Sequence, residues 1–195
     1  MTDADLPFPL AGTTLIVGPS NVGKTRLTAR ALTAWLDHEG AEGVVVLEFA
    51  PEVERDGRVL GGRLDRFVTP PADVWRGVVD ARAPRATADT EAEAAALAAD
   101  NARRAANVFD AAPADPRAVF VNDATIPFQH PDADPSRLLD YCAGTEVAVL
   151  NALEADAIAG SDPVSRVERA TLSSFRERAD RVIRLDDQTD SATRR

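Results

Sequence analysis

The segment that most restricts the fold is Gly18–Thr25, GPSNVGKT, because of what stands on either side of it. Before it, Thr13–Val17 (TTLIV) is a short β-branched apolar run ending at a glycine, which predicts a buried strand. After it, Leu27, Ala31 and Trp35 recur at near-helical spacing from Lys24 to about His38, and Gly40 supplies a stop. Gly43–Glu48 (GVVVLE) reads as a second strand, continuous rather than alternating because both sheet faces are covered. Strand, helix and strand in this order form a parallel crossover unit, so the chain is expected to be α/β.

The remaining segments extend this pattern. Residues 51–65 are polar with Gly57, Gly61 and Gly62 and read as a loop with room for one short helix, and Arg66–Thr69 reads as a further strand before Pro70-Pro71. Asp73–Ala83 is expected to be a helix with Val74, Trp75, Val78 and Val79 inward. Thr90 and Glu93 form a capping-box pair ahead of an alanine-rich helix to about Phe109, whose thin apolar face predicts a surface-mounted, mobile element. Strands follow at Ala118–Asn122, ending at Asp123, and at Glu146–Asn151, with a short helix at Ser136–Ala143 between them. Asp162 and Pro163 form an N-cap and first-turn proline for a helix to about Asp180, and Arg181–Leu185 is the last strand. The expected fold is therefore one α/β domain over residues 1–195, a mostly parallel sheet with flanking helices. Its core covers about 12–186, and 187–195 form a polar tail.

Composition sharpens one residue within this pattern. The chain of 195 residues holds 21 arginines and a single lysine, Lys24, and 32 acids leave a formal net charge of −10. Net acidity disfavours nucleic acid as a partner, since coating phosphate needs a basic face. Surplus aspartate, 21 residues against 11 glutamates, suggests a halophilic, salt-adapted protein. One cysteine, Cys142, excludes an internal disulfide and reads as a small buried hydrophobe of a reducing compartment. MTDADLPFPL lacks the features of a secretory signal, and no apolar run of about 18 residues occurs, so a cytoplasmic protein without membrane contact is expected.

GPSNVGKT fits G-x-x-x-x-G-K-[ST] in the strand-to-helix context that the motif requires. Glycines let backbone N–H groups of the turn wrap around an anion, and the helix terminus adds its free donors and positive dipole end. Lys24 can reach the β- and γ-phosphates of a nucleotide, and the Thr25 hydroxyl can coordinate Mg²⁺. In a chain that otherwise uses arginine, a slender ammonium is retained where a planar guanidinium would not replace it.

These residues resemble the Walker A motif of the P-loop NTPase superfamily, and Val119–Asp123 (VFVND) resembles its Walker B strand. The order of elements is similar to the RecA-like and KaiC-like ATPase core, a three-layer architecture. The resemblance implies that Gly18, Pro19, Ser20, Asn21, Val22, Gly23, Lys24 and Thr25 bind ATP, and that Asp123 holds Mg²⁺ opposite Thr25. It implies a polar sensor at Asn151 and a water-activating carboxylate at Glu48 or Glu52; Ala124 stands where other relatives carry that glutamate, and Asn122 departs from the usual apolar residue. Arg55, Arg58, Arg63 and Arg66, or Arg166, Arg169, Arg176 and Arg178, are candidates for an arginine finger in a homo-oligomer. The alternative is a solvated face paired with residues such as Glu168 and Glu177. His130 is too isolated for a metal site.

The resulting expectation is an ATP-binding, Mg²⁺-dependent NTPase whose slow hydrolysis drives a conformational switch. Two alternatives stay open. One is a small-molecule kinase, through a partial similarity to adenosylcobinamide kinase at Asn151, Pro163 and Arg166. The other is a nucleotide-gated protein that acts on a protein partner with negligible turnover. The absence of an N-K-x-D motif favours ATP over GTP.

Overall fold

A computed structural model describes residues 6–51, 53–55, 58–60, 62–154, 158 and 160–186. Strand β1 (Gly12–Gly18) runs into helix α1 (Lys24–Glu39), which returns to β2 (Val44–Glu48). A small antiparallel hairpin, β3 (Val53–Arg55) and β4 (Arg58–Leu60), precedes β5 (Trp75–Val78). Then follow α2 (Pro84–Thr87), α3 (Glu91–Ala111), β6 (Ala118–Asn122), α4 (Ser136–Ala143), β7 (Val147–Leu153), α5 (Pro163–Arg178) and β8 (Arg181–Arg184). Six strands form one sheet in the order β5-β2-β6-β7-β1-β8, and every pairing in it is parallel.

Side chains of successive strand residues point to opposite faces, and each face carries its own apolar layer. Ile16, Val44, Val46, Phe120 and Val149 pack with Leu27, Leu32 and Trp35 of α1. Leu15, Val17, Leu47, Val121 and Leu150 pack on the other side with Ala105 of α3, Leu138 and Leu139 of α4, and Leu172 and Phe175 of α5. All five residues of β2 and of β6 are buried, which explains their unbroken apolar sequence. Two sheet faces covered by helices make the expected α/β class.

Four local expectations change. Asp73–Ala83 is no helix: its centre is strand β5, paired with β2 from Val45↔Trp75 to Glu48↔Val78. The spacing of Val74, Trp75, Val78 and Val79 mimics a helical face, but β2 offers an open edge whose backbone groups need partners. Gly77 also lies so close to α3 that an added Cβ would stand 2.3 Å from Val108 Cγ1. Residues 66–69 form no strand; a 3-10 turn at Leu64–Arg66 inserts Leu64 into the α1-side core. The glycine-rich loop contains the β3–β4 hairpin.

Helix α3 is docked rather than perched on the surface. Its N-cap forms as expected, the Thr90 hydroxyl accepting from Glu93 N–H at 3.1 Å. It buries Ala98, Asn101 and Ala105, and the Asn101 amide exchanges two hydrogen bonds with the Arg82 backbone at 2.8 and 2.9 Å. Phe109 at its end meets Phe49 and Phe128 with ring centroids 5.7 and 6.1 Å apart. Small alanines thus give a close approach instead of a weak one. The α5 cap matches expectation, Asp162 accepting from Ser165 N–H at 2.9 Å with Pro163 in the first turn. Strand β8 is half exposed at the sheet edge, with Val182 turned outward. Cys142 is buried in the core, where burial pushes its thiol up to about 12. Among the described residues no helix is long and apolar enough to cross a membrane.

Candidate functional site

The carboxyl ends of β1, β6 and β7 and the start of α1 open onto one cleft of about 410 Å³. Parallel strands create it, because every strand delivers its chain to the same rim before crossing to a helix. The turn at 18–23 forms one wall. Asn21 and Gly23 take left-handed backbone, with φ of 65° and 97°. A Cβ at Gly18 would stand 2.2 Å from the Leu185 carbonyl oxygen, so a side chain cannot fit where β1 leaves the sheet. Ser20, Asn21, Gly23, Lys24 and Thr25 line the cleft, while Gly18, Pro19 and Val22 complete the turn outside its lining.

Lys24 is only 8% exposed, and its Nζ donates to the Pro19 carbonyl of the same turn. Burial holds its ammonium below the usual lysine value, against the opposing pull of Asp123 and Glu154. Asp123 follows β6 in left-handed backbone, φ 55°, and lines the cleft. Its carboxyl is pushed up to about 6 by burial, with Lys24 opposing, Glu168 adding and Arg85 opposing.

Behind this surface lies a chain of amides. Asn122 Oδ1 accepts from the Thr25 hydroxyl at 3.1 Å and from Asn151 Nδ2 at 2.9 Å. The Asn122 Nδ2 donates to Glu48 Oε1 at 2.6 Å and to the Gly62 carbonyl at 2.8 Å. Asn151 also donates to the Thr28 hydroxyl at 2.9 Å and accepts from Asp123 N–H at 3.0 Å. These bonds join β6, β7 and α1 beneath the cleft and fix the backbone on which Asp123 turns. The residue that faces the Thr25 hydroxyl is therefore Asn122, one position before the Asp123 expected there.

The other expected residues divide clearly. Glu48 is 1% exposed and outside the lining; its oxygens accept from Leu64 N–H at 2.8 Å and Ala50 N–H at 3.3 Å besides Asn122. Burial pushes its carboxyl up to about 7 despite those three donors, with Asp123 adding slightly. Glu52 lies outside the described residues. Asn151 stands within β7, which continues to Leu153, and is wholly buried. Arg66 lines the cleft. Arg176 and Arg178 pair with Glu154 and Asp140, and Arg169 donates to the carbonyls of Ile158 and Gly160 at 3.0 and 2.9 Å. Half-buried His130 accepts from Asp132 N–H at 3.3 Å.

Two cleft residues escaped sequence reading. Glu168, placed by its helix pattern on a solvated face, is 1% exposed and lines the cleft. Arg85, on the four-residue α2, reaches it, with Nη2 3.0 Å from Glu168 Oε2. No local periodicity marks either residue; polar Thr125 and Gln129, flanking the turn after β6, are the available signal, since buried polar groups need partners.

No protein-family model matches this chain, and no curated protein matches it.

Proposed function

We propose that the cleft binds a nucleoside triphosphate, ATP with Mg²⁺, and that the protein is a P-loop NTPase of RecA-like architecture with slow hydrolysis coupled to a conformational switch. The observation that carries this reading is the Gly18–Thr25 turn, with Lys24 recessed in a cleft at the rim of a parallel sheet. Its donor set suits a polyphosphate: backbone N–H groups at the start of α1, one ammonium and one hydroxyl. The sheet order supports the RecA-like assignment, because β7 lies between β1 and β6. When bound, Mg²⁺ would supply charge neutralisation between phosphate oxygens. Thr25 and Asp123, which line the cleft, are the side chains that would hold it, through oxygen.

The protein's own residues then have separate tasks. Lys24 leaves the Pro19 carbonyl for phosphate oxygens. Asn122 and Asn151 orient Thr25 and the Asp123 backbone. Glu48 holds the segment at Leu64 through its backbone bond. In this reading it orients water only once that bond is released, so turnover is expected to be slow.

Titration with a fluorescent ATP analogue tests the reading. Lys24→Ala is expected to weaken binding at least about 100-fold, and undiminished affinity in a folded variant would overturn it. A second reading, a nucleotide-gated protein with negligible hydrolysis, draws on the amide that faces Thr25 and on the fully engaged Glu48 carboxylate. Tight, Lys24-dependent ATP binding without phosphate release from wild-type protein would favour it.

A further inference from the structure

We propose that Arg85, beside Lys24 and the lining Arg26 and Arg66, is a phosphate-binding cation of this site, held by Glu168 to receive the terminal phosphate of the bound nucleotide. The inference rests on the nucleotide-binding reading above and adds the group that would distinguish a triphosphate from a diphosphate.

The two walls of the cleft come from opposite faces of the sheet. Lys24 belongs to α1 on one face; Glu168 of α5, with Arg85 of α2 against it, stands on the other. Asp123 lies between them at the end of β6, and its carboxyl senses both cations. A phosphate chain anchored on the Gly18–Thr25 turn and crossing the strand ends therefore runs from Lys24 towards Arg85. Beside Arg85 the buried Thr125, Ile126 and Glu168 also line the cleft. In this scheme the phosphate that meets Arg85 is the one farthest from the nucleoside.

The arginine is built to serve two anions. The Arg85 side chain is 27% exposed and Glu168 1%. Glu168 is also held by the Thr125 hydroxyl on Oε1 at 2.9 Å and by Gln129 Nε2 on Oε2 at 2.8 Å. With those bonds in place, Glu168 remains a fixed, buried anchor when the guanidinium turns. A guanidinium carries five N–H donors in a planar fork, so one edge can stay on Glu168 while another meets phosphate. Without Arg85, the buried Glu168 carboxylate would face a polyanion with no cation paired to it in this cleft. Arg85 acts in this scheme as a binding residue, and Glu168 as the residue that positions it.

The test measures ATP and ADP affinities with Mg²⁺ for wild type, Arg85→Gln, Glu168→Gln and Lys24→Ala, each checked for thermal unfolding. Arg85→Gln is expected to weaken ATP at least about tenfold while changing ADP less than about twofold, the loss of one charge-assisted contact to the distal phosphate. Glu168→Gln is expected to lower the ATP-to-ADP affinity ratio several-fold, which a merely structural role would not do. If Arg85→Gln does not fold, Arg85→Lys keeps a cation beside Glu168 without the planar fork, and the same ratio is expected to fall. A Lys24-dependent ATP site whose ATP-to-ADP ratio is unchanged in the folded arginine variant overturns the role of Arg85 alone. Failure of wild type to bind ATP, or full affinity in Lys24→Ala, overturns the nucleotide reading and the role of Arg85 with it.

Discussion

Glu48→Gln isolates the cost of an ionised carboxylate in the core. Glu48 is 1% exposed and its carboxyl stands at about 7, against 4.5 for an ordinary glutamate. Between those values the native state binds a proton that the unfolded chain has released, so stability falls as pH rises. The stabilising contribution is complete below pH 4.5 and lost once pH passes 7. The interval corresponds to about 3 kcal/mol. Glutamine mimics the protonated acid, so the stabilities of wild type and Glu48→Gln should diverge with pH. The variant should gain about 3 kcal/mol relative to wild type between pH 4.5 and 8. Any change from the altered hydrogen bonds to Leu64, Ala50 and Asn122 is independent of pH and shifts only the constant offset. Asp123 titrates in both proteins, with its carboxyl raised to about 6, and largely cancels in the difference. Urea unfolding at fixed KCl, followed by fluorescence of buried Trp35 and half-buried Trp75, gives both curves. A difference that stays constant over this range would refute the argument, since Glu48 would then titrate as it does when unfolded.

Two other substitutions probe the frame of the cleft. Asn151→Ala should cost about 3 kcal/mol, because it leaves the Asp123 N–H, the Thr28 hydroxyl and Asn122 short of partners inside the protein; a change below about 0.5 kcal/mol in urea unfolding would count against the amide network. Gly18→Ala forces a Cβ towards the Leu185 carbonyl, which shares this rim with the Leu185 N–H bond to the Val17 carbonyl at 2.8 Å. It should destabilise by about 3 kcal/mol and speed amide exchange in β8 before other strands, and unchanged exchange there would contradict the contact.

Elements whose causes are contiguous in the chain are legible from residue order. The unbroken runs of β1, β2 and β6 announced buried parallel strands, and Asp162-Pro163 and Thr90 with Glu93 announced helix starts, because a cap acts within three residues. The turn from Gly18 to Thr25, with the chain's lone lysine, was legible for the same reason: strand, glycines and helix are contiguous. Contacts between distant segments set the remainder. Residues 75–78 became a strand because the edge of β2 needed hydrogen-bond partners, which no local spacing encodes. Thr25 faces Asn122 rather than Asp123 because left-handed backbone at Asp123 turns the chain at the end of β6. Glu168 and Arg85 meet because α5 and α2 pack on the same side of the sheet. A charge pattern on one helix cannot reveal the partner that a distant turn brings to it.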